Sequence, residues 1–222
     1  MRILAFDTAT AATVAAIGEL ERRDDPPPGT RPAHATRLLT LIQELIDATE
    51  GGWGAIDRIA VGVGPGTFTG LRIGIATAQA LARSTGIELV GVSTLASLER
   101  GAHALLGESC SVLAVIDARR GEAFVAGDGV QPCVLDPEAL AALAAHHARG
   151  ATHGLFAVGD GALRFSELLE QAGAQVPAPE SAAHRVSAIH HCRLALSAQP
   201  APAGMIEPLY LRVPDAERSV SR

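Results

Sequence analysis

The chain carries one pattern twice, and this repetition limits its fold more than any other feature. Met1-Arg-Ile-Leu-Ala-Phe-Asp7 is an apolar run closed by a carboxylate; Thr-Ala-Thr follows, then a second strand-like run, Thr13–Ile17. Ser111-Val-Leu-Ala-Val-Ile-Asp117 repeats the arrangement, followed by Ala-Arg-Arg-Gly and then Glu122–Ala126. The two aspartates stand close to half of the 222 residues apart, the spacing of a duplicated domain. Each half continues with a helix and a strand ending in glycines, Arg58–Gly64 and Leu155–Gly161. Two similar α/β lobes are therefore predicted, 1–104 and 105–222, with Ser93 opening a helix that Gly101 ends.

A carboxylate at the carboxyl end of the first strand in each lobe stands where ligands of open α/β sheets bind. In nucleotide-using proteins such groups position hydrated magnesium and phosphates, which makes Asp7, Thr8, Asp117 and Arg119 candidate nucleotide-binding residues. The competing reading is that each aspartate caps a turn through its own backbone amides. Ala9 stands where a phosphate-binding turn needs glycine.

Between Ala60 and Ala76 an apolar run ends in a glycine-dense turn, Gly64-Pro-Gly-Thr-Phe-Thr-Gly70, and restarts without proline, a strand–loop–helix pattern. A Walker-type loop would close on Gly-Lys, and the chain has no lysine: its 18 basic residues are all arginine. The dinucleotide fingerprint fails on spacing. From Gly70 the small residues Gly70, Gly74, Ala78 and Ala82 recur every fourth position, a ridge over which another helix can pass closely, with Leu71, Ile73, Ile75 and Leu81 around it. A central core helix and a subunit contact both explain that ridge. In the preceding helix, Thr36–Thr49, Leu38, Leu39, Leu41, Ile42, Leu45 and Ile46 cover an arc of about 160°, wider than the roughly 100° a single core contact requires. This excess makes Leu38, Leu41, Ile42, Leu45, Gly70, Leu71, Gly74, Ile75 and Ala78 the candidate partner interface, against two well-buried helices of a monomer. Thr67 and Thr69 either touch a ligand or cap the following helix.

Composition excludes several classes. A formal charge of −6, scattered arginines and 3% aromatic residues leave little for gripping phosphate backbones or stacking bases. The N-terminus reaches Asp7 after too few apolar residues for a signal peptide, and no run approaches membrane-spanning length, so the expected location is cytoplasmic. Cys110, Cys133 and Cys192 show neither a metal pattern nor a disulfide framework. His146-His147 and His190-His191 lack the three- or four-residue spacing of helical metal ligands, so no metal site is expected. Arg22–Pro32 reads as a proline-laden surface loop, Ala182–Ala198 as a late helix, and the tail after Val213 as loose.

Several segments together resemble the TsaB (YeaZ) family: Ile3-Leu-Ala-Phe-Asp-Thr-Ala-Thr10, His34 with its helix, Gly64–Gly74, Gly91-Val-Ser-Thr-Leu95, Ile116-Asp-Ala-Arg-Arg-Gly-Glu122 and Glu207-Pro-Leu-Tyr-Leu-Arg212. The resemblance implies a two-lobed actin-like (ASKHA, RNase H-like) α/β fold arising from duplication. It implies a subunit without catalytic residues of its own, serving bacterial tRNA threonylcarbamoyladenosine (t6A) synthesis. In that family TsaD carries the metal and the transfer chemistry, the ATPase TsaE resets the complex, and tRNA is met only through the complex. TsaB docks on TsaD through its two N-terminal-lobe helices and forms homodimers with the same surface. No intrinsic cofactor is implied, although ATP or ADP at the joint surface is compatible with the resemblance. Metal-binding relatives place two histidines at i and i+4; this chain has no such pair, which argues against peptidase activity. One departure is Asp24-Asp-Pro-Pro-Pro28, which would shorten an edge strand. The alternative reading is an autonomous ATP- and magnesium-binding enzyme of the actin-like superfamily, built on Asp7 and Asp117.

Overall fold

In the computed structural model, which describes residues 1–27 and 29–212, the chain divides into two compact units. Among the described residues, unit 1 is Met1–Ser97 with Val186–Leu209, and unit 2 is Leu98–Arg185 with 210–212. The division therefore falls inside a helix, between Ser97 and Leu98, and not near 104. The segment 186–209, assigned above to the second lobe, belongs to the first. The tail past Val213 lies outside the described residues.

Unit 1 holds a five-stranded sheet, in the order β3-β2-β1-β4-β5. The strands β1 (Ile3–Asp7), β2 (Thr13–Ile17) and β3 (Leu20–Asp24) run as an antiparallel meander, and β4 (Arg58–Gly64) and β5 (Glu88–Ser93) add in parallel on the other side of β1. β1 and β2 are buried along their whole length because helices cover both faces, so these strands read as continuous apolar runs. α1 (His34–Asp47) and α2 (Phe68–Thr85) lie on the face of Leu4, Phe6, Ala15, Ile17, Ile59 and Val61. α7 (Ala188–Ala195) takes the opposite face, where the Cys192 thiol lies 3.4 Å from the Ile3 carbonyl. The period of two along β1 sends Leu4 and Phe6 to the first face and Ile3, Ala5 and Asp7 to the second. At the entry to α1, buried His34 meets Thr13 Oγ1 at 2.8 Å and ties the helix to β2.

Unit 2 repeats the topology with one strand fewer. Its order is β8-β7-β6-β9, with β6 (Ser111–Arg119), β7 (Glu122–Gly127) and β8 (Val130–Leu135) antiparallel and β9 (Leu155–Val158) parallel to β6. α4 (Pro137–Gly150) occupies the place of α1, and α5 (Asp160–Arg164) with α6 (Ser166–Gln171) follows β9 as α2 follows β4. The duplication read from Asp7 and Asp117 is thus a duplication of strand order, and the fold is the actin-like α/β class.

Three local expectations change. The segment Arg22–Pro32 is not all loop: β3 runs to Asp24 and stops where the prolines begin, as an edge strand must. α3 (Thr94–Leu106) passes through Gly101, which is buried within the helix; Ser93 does cap its start, accepting from Ala96 N at 3.3 Å. The late helix is shorter than 182–198, a 3₁₀ turn at Ala182–His184 followed by α7.

Candidate functional site

Asp7 ends β1 on the α7 face, and that position decides its chemistry. Its carboxylate is 1% exposed; Oδ1 accepts from Ala9 N at 2.6 Å, and Oδ2 accepts from Thr94 Oγ1 at 2.7 Å and His191 Nε2 at 2.9 Å. Burial alone would raise this carboxyl. The hydrogen bond and charge of His191, with the bonds from Thr94 and Ala9, more than offset burial and hold it below its ordinary value. Gly62 beside it has no room for a side chain, because a Cβ there would collide with Asp7 Oδ2. Asp7 therefore offers no free oxygen to a magnesium ion or a phosphate. The turn-capping reading holds, through Ala9 N, and a buried ion pair that sequence reasoning missed is added to it. Asp7 and His191 are 184 residues apart, and no local pattern joins them.

His191 Nδ1 lies 2.7 Å from Ser97 Oγ, so Ser97, His191 and Asp7 contain the residue types of a hydrolytic triad. Their exposures are 0, 0 and 1%, and the Ser97 hydroxyl also bonds the Ser187 carbonyl at 3.1 Å. A nucleophile without access to a substrate carbonyl does no acyl transfer, and the network instead fastens α7 and the first turn of α3 to β1.

The glycine-rich loop is filled from within. Thr67 N donates to the Ala9 carbonyl at 2.8 Å, and Thr8 Oγ1 donates to the Gly70 carbonyl at 2.7 Å. A Cβ at Gly70 would strike the Thr8 carbonyl, and one at Gly74 would lie 2.5 Å from Thr8 Oγ1. The small-residue ridge thus exists to let α2 settle on the Thr8-Ala9 turn, not to admit a foreign helix. The Thr67 amide is therefore turned inward, and Thr8 joins Asp7 as a packed residue. Thr67 takes the N-cap position of α2 without a side-chain cap bond, while Thr69 is exposed.

The nine residues proposed as the partner interface need the same correction. Leu38, Leu41, Ile42 and Leu45 are at most 2% exposed, Leu71, Ile75 and Ala78 at most 5%, and Gly70 and Gly74 are buried too. Apart from Leu39, the broad apolar arc of α1 is covered by its own sheet and by α2. What faces outward is different. α1 presents Thr36, Leu39, Thr40 and Gln43; α2 presents Phe68, Thr69, Arg72 and Ala76. Leu39 is 55% and Phe68 42% exposed, and the Arg72 guanidinium stacks over the Phe68 ring at 3.8 Å.

In unit 2, Asp117 sits in a more open setting. Its Oδ1 accepts from Arg119 N at 2.8 Å, and its Oδ2 meets Arg164 Nη1 at 2.8 Å and Arg119 Nη1 at 3.3 Å. Its own amide donates to Asp160 Oδ1 at 3.0 Å. Arg119 and Arg120 both hold left-handed backbone, φ +63° and +53°, a conformation that costs about 1 kcal/mol or more for a non-glycine residue. Asp117 and Arg119 are thus brought together, with Arg164 as a partner that sequence reasoning did not name.

A family model described as TsaD, tRNA N6-adenosine threonylcarbamoyltransferase, matches residues 26–146. The tRNA threonylcarbamoyladenosine biosynthesis protein TsaB of Escherichia coli is 41% identical over 133 residues, 56% of this chain and 53% of that protein. An uncharacterized protein of Mycobacterium tuberculosis is 34% identical over 232 residues, covering 97% of this chain and 93% of its own length. Among solved structures, YeaZ from Pseudomonas aeruginosa superposes with a TM-score of 0.75 at 28% identity, over 95% of this chain and 99% of that one. The chain belongs to the TsaB (YeaZ) family. Its match spans about half the length of the curated TsaB relative from E. coli. Among the described residues, no helix of this TsaB-family chain is long and apolar enough to cross a membrane.

Proposed function

We propose that the chain is a non-catalytic scaffold and activator subunit in tRNA threonylcarbamoyladenosine synthesis, docking on a TsaD partner through the outward faces of α1 and α2. The observation that carries this reading is the pairing of family membership with the state of Asp7. The carboxylate best placed for phosphate chemistry in unit 1 is buried in an ion pair, so the unit serves as a rigid body whose working part is its surface. That surface has the mixed character of a reversible interface: Leu39 and Phe68 as exposed apolar anchors, Arg72 stacked on one of them, and short polar or small residues around. Homodimerisation through the same face and recruitment of TsaE to the complex follow from the same reading, with tRNA held by the partner.

The test is reconstitution. Purified chain and TsaD are mixed with TsaE, tRNA, ATP and the threonylcarbamoyl-adenylate source, and t6A is measured beside the affinity of the pair. Leu39→Asp and Phe68→Asp should each weaken assembly and lower t6A formation while leaving thermal unfolding unchanged. Normal assembly in the double variant would place the docking surface elsewhere.

A second reading concerns nucleotide. Asp7 and Thr8 do not fit one, for the reasons of packing given above, and this argues against an autonomous ATP-dependent enzyme. The strained Arg119-Arg120 turn with Asp117 and Arg164 does offer guanidinium groups of the kind that hold phosphates. Arg119, 67% exposed at its side chain, and Asp117 are the residues of this chain that would reach a nucleotide shared with a partner. Calorimetry with magnesium-ATP on the isolated chain and on the complex separates the cases. Binding to the isolated chain that Asp7→Ala abolishes would instead restore the enzyme reading.

A further inference from the structure

Within unit 2, Glu99 and His103 stand four residues apart on α3 and so share one helix face, and Asp128 reaches them from the turn between β7 and β8. One donor atom from each lies within 4.8 Å of the other two. The His103 Nδ1 is 3.4 Å from the Gly107 carbonyl, an acceptor only, and a proton on that nitrogen would leave Nε2 its lone pair for a metal ion. With the proton there, Nε2 faces Asp128 Oδ1 at 3.4 Å. Two acceptors turned toward each other repel unless a proton or a cation lies between them. The separation is long for a hydrogen bond, yet it equals the edge of a tetrahedron whose metal–ligand bonds are about 2.0–2.1 Å, roughly 3.3–3.4 Å.

The surroundings agree. Asp128 is held in place by its other oxygen, which accepts from Val112 N of β6 at 2.9 Å. Glu99 is half-buried beside Asp128. Among the described residues neither carboxylate has an arginine in an ion pair, although the chain holds 18 arginines. Two carboxylates thus meet beside an imidazole, with no guanidinium ion-paired to either among the described residues.

We propose that Glu99, His103 and Asp128 bind a divalent transition-metal ion, zinc being the best match to one imidazole and two carboxylates, as a clip between α3 and the β7–β8 turn. Three protein ligands leave a fourth position for water. The site lies in unit 2, whereas Asp7 and the α1–α2 surface belong to unit 1, and it does not depend on the docking reading. In the sequence the site leaves only the Glu99-x-x-x-His103 spacing, since Asp128 comes from a distant turn.

Metal-stripped full-length chain is titrated with Zn²⁺ by calorimetry, and with Co²⁺ by visible absorption. The expected result is one equivalent bound, with the d–d bands of a four-coordinate cobalt site. Glu99→Gln, which is isosteric, and His103→Ala should each weaken binding at least tenfold. A His146→Ala/His147→Ala variant, altered at the adjacent histidines of α4, should bind as the parent does. Zn²⁺ should also raise the thermal midpoint of the parent and of the His146/His147 variant but not of Glu99→Gln. The proposal is overturned if no one-to-one binding is seen, or if Glu99→Gln and His103→Ala both bind within twofold of the parent. Loss of binding in the His146/His147 variant instead would likewise overturn it.

Discussion

Removing the imidazole of His191 leaves the Asp7 carboxylate in a site 1% exposed, with only the Thr94 hydroxyl and the Ala9 amide as donors. Breaking a buried ion pair from one side costs about 3–5 kcal/mol, because the remaining charge is neither solvated nor paired. His191→Ala should therefore destabilise unit 1 by about 4 kcal/mol at pH 7. With a urea slope of roughly 1–3 kcal/mol/M, the midpoint falls by more than about 1 M. Trp53 is the only tryptophan in the chain, belongs to unit 1 and packs against the core cluster under α1, so its fluorescence reports this unit. The pH dependence supplies a second, independent check. In the parent, the Asp7 carboxyl is depressed, so its contribution is fully present above the unfolded value of about 3.9 and is lost as pH falls through the folded value. In the variant, burial acts with less opposition and the folded value moves up. The stability gap between parent and variant is then widest near neutral pH and narrows on acidification, since a protonated Asp7 needs no cation. Asp7→Asn in the His191→Ala background should recover part of the loss. If the single variant loses less than about 1 kcal/mol, or the gap does not narrow in acid, the buried-pair account of Asp7 is wrong.

Gly74→Leu, which a docking role would make a selective assembly defect, should instead destabilise the isolated chain by about 3 kcal/mol or more, because the new side chain meets Thr8; differential scanning calorimetry of the chain alone checks this. Leu39→Asp and Phe68→Asp should leave stability within about 0.5 kcal/mol while weakening binding to TsaD at least tenfold, read by calorimetric titration. Arg58→Met removes donors to the Ala195 carbonyl at 2.6 Å and the Ala198 carbonyl at 3.1 Å, and should cost about 2 kcal/mol, with faster hydrogen exchange in 186–209. The Cys192 thiol, pushed up to about 12 chiefly by burial, should resist a disulfide reagent at pH 8 in the native chain and react promptly in urea.

Much of this molecule was legible in its residues. Continuous apolar runs at Ile3–Asp7 and Ser111–Asp117 and helical stripes at Leu38–Ile46 and Gly70–Ala82 set the element types and the duplication, because both are local properties of the chain. The motifs around Asp7, Gly64–Gly74 and Asp117 were sufficient to suggest the family. What these patterns do not carry is the identity of whatever covers an apolar face. Five of the six stripe residues on α1 meet their own sheet and α2, and the sixth, Leu39, is left outside with its polar neighbours. Glycines at 70 and 74 looked the same whether a foreign helix or the Thr8 turn lay against them. The pairing of Asp7 with His191, the return of α7 to unit 1 and the meeting of Glu99 and His103 with Asp128 are long-range events. They are decided by which surfaces the closed chain brings within a few ångströms, a quantity to which no window of neighbouring residues gives access.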